Sequence, residues 1–564
     1  MLRRITTLGL TSLSVWCYAQ SLVDTRLTYD TVILDTPQNP MPLPIAIEFL
    51  SPDDPNRFFL LEKHTGKVQL VENGVITRTL LDLPVNTANW ERGLLYITKH
   101  PDFQTNGYVY LFYSNDSTGT DTNVETNWTD NRLVRYRWNG TDLVEPTVIL
   151  SIPFDSTQTR NGPIHNGGVM FFGPDGKLWL VVGELNRSNG IETNQNATRV
   201  IDGGGIIRIN DDGSIPLDNP FVSHSDDRIR RLWAYGIRNS FGMTVDPLTG
   251  NLWMTENGPN VYDEINLVRR GFNSAWRRWM GPIARNPGAN VNNLVQLPNS
   301  YYDDPRFSWL QPIGVVSIQF LRSARFPTDI RDQAVVSESN NHRLYLFRMN
   351  ATRDGFDFSA FPELQDLVAD TADERNLLTW GTNWRIVSDL KIGPDGYLYV
   401  VTHIGTTSIR AGVRRIRPVN PPEIIHGKVT LQGRNGLPLG VPLTLQLYTG
   451  STLAQTITTT LDAYGKFSEQ VNAPNTYTVK AKAGSYLSVT VPNVAIAPQG
   501  FAYRELVFTV NGDINGDDVI DDADLLGVLF AFGSSDSAAD LNNDGVVDDA
   551  DLLTVLFNFG STGG

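Results

Sequence analysis

Short apolar runs closed by turn residues dominate the first 418 residues, and helical periodicity is scarce there. Six of the runs begin alike. SPDDPNRFFLLEK, HPDFQTNGYVYLFYS, GPDGKLWLVVGE, DPLTGNLWMTE, FPTDIRDQAVVSE and GPDGYLYVVTH carry Pro52, Pro101, Pro174, Pro247, Pro327 and Pro394 in their opening turns. Proline sets φ for the turn, Asp bonds the backbone after it, Gly supplies positive φ, and aromatic or β-branched residues fill the strand that follows. Pro101, Pro174 and Pro247 are spaced by 73 residues, and Pro394 lies 147 beyond Pro247. A unit that recurs six times at blade-like spacing predicts a mainly β chain whose residues 20–418 form a six-bladed β-propeller, with a β-sandwich as the alternative.

Beyond the breaker Arg417-Pro418-Val419-Asn420-Pro421-Pro422, a second pattern takes over. HGKVTLQG, VPLTLQLYTG, TYTVKAKAG and YRELVFTV alternate apolar with polar at period two, which predicts a small β-sandwich over residues 419–510. It resembles the carboxypeptidase-regulatory-like modules of secreted proteins, and a spacer role is expected of it.

Charge changes the picture of the last segment. The chain has net charge −15, and residues 511–564 hold twelve Asp with no Glu, Lys or Arg, so the remainder carries only about −3. Such a tail repels nucleic acid and invites cations. Its two loops, DINGDDVIDDAD and DLNNDGVVDDAD, lie 27 residues apart and each precedes a short apolar helix. Oxygen ligands fall at positions one, three, five, nine and twelve, with a backbone carbonyl at seven, as a hard cation such as Ca2+ requires. They are Asp513, Asn515, Asp517, Val519, Asp521 and Asp524 in the first copy, and Asp540, Asn542, Asp544, Val546, Asp548 and Asp551 in the second. Position six, which favours glycine, is Gly545 in the second loop and Asp518 in the first. The duplicated loop and single helix with Asp at twelve resemble a type I dockerin. That likeness implies folding on calcium and a cohesin-like protein partner.

Residues 1–19 have Arg3 and Arg4 before a modest apolar run and end in a small-x-small pattern, so a secretory signal peptide cut before Gln20 is expected, with a secreted protein as product. Cys17, the only cysteine, falls inside it and leaves no disulfide for the mature chain. No other apolar run is long enough to span a membrane.

The segment AYGIRNSFGMTVDPLTGNLWMTENGPNVYDEINLVRRGFNSAW, with ERGLLYITKHPDFQTNGYVYLFYS and IHNGG, resembles the glucose/sorbosone dehydrogenase family of soluble quinoproteins. The resemblance implies pyrroloquinoline quinone and a calcium ion on one face of the propeller, and a sugar substrate oxidised at its anomeric carbon. It implies that His165 is the general base, that Arg238 and Asn239 hold the quinone, and that Gly258 and Pro259 offer carbonyls to its calcium. Imidazole suits the first role because it accepts a proton near neutral pH. The chain departs from the family where a lysine is expected, at Asn340 and Asn341, and where an R-x-R-D pattern reads NWRIVSD, with Arg385 and Ser388 before Asp389. Those departures keep a second reading open, a non-catalytic propeller that recognises a ligand or protein. Without its neighbouring motifs, His165 reads first as an ordinary buried strand-end histidine.

Overall fold

The computed structural model describes residues 19–153, 164–406 and 409–564. The expected leader therefore lies almost wholly outside the described residues.

Between residues 21 and 418 the strands form six sheets of four or five strands each. Their first strands are Pro44–Phe49, Leu94–Lys99, Met170–Phe172, Gly242–Val245, Val315–Phe320 and Ile386–Ile392. The strand after each GPDG-type turn is the second of its sheet and is buried throughout or at all but one end residue, as in Leu178–Val182 and Leu252–Glu256. Runs of Leu, Val and Trp with no polar alternation fit that position, since both faces of the strand meet a neighbouring sheet.

One apolar cluster fills each gap between successive sheets. Phe59 and Leu61 meet Leu111 and Val134; Phe112 meets Leu180; Val181 meets Met254; Trp253 meets Phe320 and Phe347; Trp380 meets Val400; Val401 meets Phe58. The last of these joins the sixth sheet to the first, so the sheets close into a ring. The closure is also knitted by chain. Leu27–Leu34 pairs with Gly412–Pro418 as the outer strand of the sixth sheet, and Asp30 bridges to Arg415 and Arg417.

Residues 424–508 form a three-stranded and a four-stranded sheet around Leu443, Leu445, Phe467, Val479 and Phe508. This unit is not held away from the ring, as a spacer would be. Arg331 pairs with Glu469 at 3.1 Å, Ala324 N donates to Ser468 Oγ at 2.9 Å, and Ala463 N donates to Pro247 O at 2.8 Å. The contact closes a cavity of about 400 Å3 that every first strand of the ring lines, with Asp462, Tyr464 and Lys466 entering it from the sandwich.

The tail helices, Asp522–Ala531 and Asp549–Asn558, start at Asp521 and Asp548. Each start is a capping box completed by Asp524 or Asp551. Val528 and Val555 pack with Ile520, Leu541, Val547 and Leu487 of the sandwich. No helix among the described residues is long and apolar enough to cross a membrane.

Candidate active site

The segments that precede the first strands, and those that link second to third strands, gather at one end of the ring. His165 precedes Met170–Phe172 there, with φ at +63°. Gly167 and Gly168 follow it, both at positive φ, and a Cβ on Gly167 would lie 2.7 Å from Val181 O. The glycines thus let the chain press against the next strand while His165 turns inward.

Two carboxylates fix the histidine. Glu184 Oε1 is 2.6 Å from His165 Nδ1, and Glu91 Oε2 accepts from His165 N at 2.5 Å and from Asn166 N at 3.1 Å. His165 and Glu184 are 5 % and 2 % exposed, so the pair is shielded from bulk water. A carboxylate this close to Nδ1 holds the proton there and leaves Nε2 as the acceptor.

Arg238 and Asn239 come to the same place. Glu184 N donates to Arg238 O at 2.9 Å, Arg238 Nη1 donates to Asn257 O at 2.9 Å, and the guanidinium lies 5.4 Å from the Trp276 ring centre. Burial pulls its pKa below the usual arginine value, opposed by the charges of Glu184, Glu91, Glu256 and Asp263. Asn239 Nδ2 reaches Glu91 Oε2 at 3.4 Å. Several buried atoms here find no hydrogen-bond partner among the described residues: Glu184 Oε2, Arg238 Nε, Asn239 Oδ1, Asn166 Nδ2 and Trp276 Nε1. Buried polar atoms are normally satisfied, so a group of orphans converging on one cleft points to a polar ligand.

Gly258 and Pro259 belong to the adjoining loop, which begins at Asn257. Asp263 shapes it: Oδ1 accepts from Gly258 N at 2.9 Å, and Oδ2 accepts from Ile313, Gly314 and Val315 N at 2.7–3.1 Å. The carbonyls of Gly258 and Pro259 accept no hydrogen bond from the described residues. Behind the loop, Glu256 and Glu264 are buried beside each other, Asn266 Nδ2 donates to both, and burial pushes both carboxyls up.

Where the family pattern is broken, the structure fills the positions with local bonds. Asn340 Nδ2 donates to Pro312 O and Asn341 Nδ2 to Glu338. Asp389 binds Tyr96 Oη at 3.0 Å and Ile47 N at 3.2 Å, tying the sixth sheet to the first two. Arg385 sits at φ +62° with its Nε unpartnered.

Sequence reasoning had not singled out Glu91 or Glu184. Both carried a signal, since Glu91 opens and Glu184 interrupts an apolar stretch, ERGLLYI and LWLVVGEL, at the strand end that faces His165. Among the described residues no three His, Cys, Asp or Glu side chains come together as a metal site, either here or in the tail. Each tail loop is expected to use four carboxylates with an asparagine and a backbone carbonyl, and among the described residues those carboxylates do not converge in this way.

The family model for glucose/sorbosone dehydrogenase matches residues 41–410. The chain belongs to the glucose/sorbosone dehydrogenase family. The match spans most of the ring and every cleft residue named above. Aldose sugar dehydrogenase YliI of Escherichia coli K12 is 29% identical over 379 residues, covering 66% of this chain and 90% of that protein. Quinoprotein glucose dehydrogenase B of Acinetobacter calcoaceticus is 32% identical over 250 residues, covering 39% of this chain and 48% of its own. A solved structure of a putative oxidoreductase (glucose dehydrogenase) from Thermus thermophilus superposes with a TM-score of 0.52 at 25% identity, covering 69% of this chain and 99% of that one.

Proposed function

We propose that this family member is a secreted sugar dehydrogenase that oxidises the anomeric carbon of an aldose with pyrroloquinoline quinone and calcium. In this reading the six sheets are the blades of a propeller over residues 20–418. The observation that carries it is the buried His165–Glu184 pair set among orphaned polar atoms, which also favours catalysis over ligand recognition alone. The residues suit the cofactor. Arg238 would donate to its carboxylate or carbonyl oxygens through Nε, now without a partner, Asn239 would offer it the amide beside Arg238, and the carbonyls of Gly258 and Pro259 would take the calcium ion. When bound, the quinone supplies a two-electron acceptor polarised by the ion.

The chain's own residues handle the proton. Glu184 keeps Nδ1 protonated, so His165 Nε2 receives the proton of the anomeric hydroxyl as hydride leaves the carbon. The imidazolium that forms is stabilised by the same carboxylate. Glu91 holds the His165 backbone, and the burial of the pair keeps water from competing.

The remaining assignments follow the sequence. Residues 1–19 act as signal peptide and 419–510 as a sandwich closing the ring's far end. Residues 511–564 form a dockerin-like module whose loops take one calcium ion each. Both tail helices leave a Leu and Phe stripe in solvent, with Phe530 87 % and Phe557 82 % exposed, which supports a cohesin-like protein partner.

The test is dye reduction by purified protein supplied with pyrroloquinoline quinone and calcium, over a panel of aldoses. Turnover that disappears in His165→Ala is expected. Absence of turnover with every aldose, or full turnover in that variant, would remove the catalytic reading.

A further inference from the structure

Lys63 follows the strand Arg57–Glu62 and lies at the same end of the ring as His165. Its backbone is held on both sides, N donating to Leu43 O at 3.0 Å and O accepting from Leu94 N at 2.8 Å. Its stem lies against Gly93, where an added Cβ would stand 2.1 Å from Lys63 O and 3.1 Å from Lys63 Cγ. Gly93 is two residues beyond Glu91, whose carboxylate holds His165. Lys63 is 8 % exposed, yet no hydrogen bond or ion pair joins its ammonium to any described residue. The half-buried lysines differ: Lys99 Nζ donates to Phe49 O, and Lys391 Nζ donates to Ile47 O and Glu48.

The surroundings leave this cation facing outward for a partner. Burial pulls its pKa down to about 8, and among the described residues Glu91 is the charge that opposes the fall. Glu91 is already engaged by the His165 and Asn166 N–H groups. His64 and His403 flank the lysine, and burial pushes both imidazoles down, to about 4 and about 3, so neither supplies a charge. A largely buried ammonium whose only outlet is the cleft mouth has no acceptor from the described residues, and an anion entering the cleft would pair with it.

We propose that Lys63 is a carboxylate-binding residue at the rim of the His165 cleft, taking a carboxylate of the quinone or of an acidic sugar. The proposal rests on the dehydrogenase reading above. It gives the cleft, from the first sheet, a cation that Asn340 and Asn341 do not provide from the fifth.

The experiment has two arms. Apo protein in calcium buffer is titrated with pyrroloquinoline quinone by tryptophan fluorescence quenching, for wild type, Lys63→Met and Lys63→Arg. Loss of one charge-assisted bond is expected to weaken binding about 10- to 100-fold in Lys63→Met, with Lys63→Arg keeping most of the affinity. In the second arm, the kcat/KM ratio of glucuronate to glucose is measured at saturating quinone. Weaker quinone binding with an unchanged ratio assigns the carboxylate to the cofactor. An unchanged titration with a ratio about tenfold lower assigns it to the sugar. No change in either arm, in a variant that melts like wild type, overturns the proposal.

Should Lys63→Met not fold, amine labelling of wild type followed by peptide mapping reads the same contact. Protection of Lys63 by quinone or glucuronate supports it, and labelling indifferent to both overturns it. A wild type that neither binds quinone nor oxidises any aldose would instead remove the dehydrogenase reading, and this proposal with it.

Discussion

The cleft around His165 and the tail loops both concentrate carboxylates, and they use them in opposite ways. In the cleft Glu91, Glu184, Glu256 and Asp263 come from three successive sheets, are mostly buried, and leave polar atoms around them without partners. In the tail the carboxylates are local and are spent on backbone N–H groups. Asp513 accepts from Gly516 and Asp518 N, Asp540 from Asp544 and Gly545 N, and Asp524 and Asp551 each from the start of their own loop. Long-range assembly of unsatisfied groups is the mark of a site prepared for chemistry on a ligand. Short-range satisfaction is the mark of a loop that holds its own shape.

The largest effect that would test the contrast lies in the cleft. His165→Ala is expected to lower kcat by about 10²- to 10⁴-fold, the usual weight of a general base. Glu184→Gln should cost less, about 10- to 100-fold in kcat with KM little changed, because the amide still accepts from Nδ1–H but no longer answers the imidazolium charge. Steady-state kinetics with one aldose decides it. An equal fall in both variants through KM would mean that the pair binds sugar and does not move its proton.

The difference between the regions also explains what could be read from sequence. The ring was legible because its six turns repeat a local rule, Pro and Asp or Gly before an apolar strand, and local rules survive in a linear text. The two tail helices with their Asp starts were legible for the same reason. The cleft was legible only at His165, Arg238, Asn239, Gly258 and Pro259, and there through family resemblance. Glu91 lies 74 residues before His165, and the contact between them exists only because one sheet packs on the next. Docking of the sandwich was hidden likewise: Arg331 and Glu469 are 138 residues apart, and neither stands in a recognisable motif.

A smaller effect is expected in the tail, and it should separate by domain. Asp513→Ala with Asp540→Ala removes the first proposed oxygen ligand of each loop and also the acceptor that orders its turn. The tail should then become protease-sensitive after about residue 511 and lose its calcium-dependent helix signal in circular dichroism. The main calorimetric transition of the ring should stay in place, because the ring's six clusters contain no tail residue. A ring that melts earlier in this variant would show that the two regions are one cooperative unit.

Within the tail, the two loops themselves differ. Lys482 of the sandwich places its ammonium 2.5 Å from Asp513 Oδ2, and Asp540 has no such cation among the described residues. An ammonium on a ligand oxygen competes with calcium, so stepwise binding is expected, with the second loop tighter by about tenfold. Lys482→Met should narrow the gap in a calorimetric titration. A gap that widens would mean that the lysine supports the loop and does not compete for it.

The smallest effect concerns Asp518, the residue that stands where glycine is favoured. It sits at φ +71°, a conformation that costs a non-glycine residue about 1–2 kcal/mol, somewhat less for Asp. Against that, its Oδ1 accepts from Ser488 N at 2.8 Å, its Oδ2 accepts from Ser488 Oγ at 2.5 Å, and Lys480 pairs with it at 2.9 Å. Burial pushes the carboxyl up, but Ser488 and Lys480 outweigh it and hold the pKa down at about 2. Two hydrogen bonds of about 0.5–1.5 kcal/mol each, with a half-exposed ion pair of at most about 1, slightly exceed the backbone cost. Asp518→Gly should therefore change tail stability by no more than about 1 kcal/mol, in the destabilising direction, while freeing the tail to move against the sandwich. Urea melts of the tail helices measure the first, and proteolysis between residues 508 and 513 the second. A stabilised and still protected tail would mean that Asp518 is a strained relic of a glycine position, whereas a loosened one makes it the residue that seats the first loop on its neighbour.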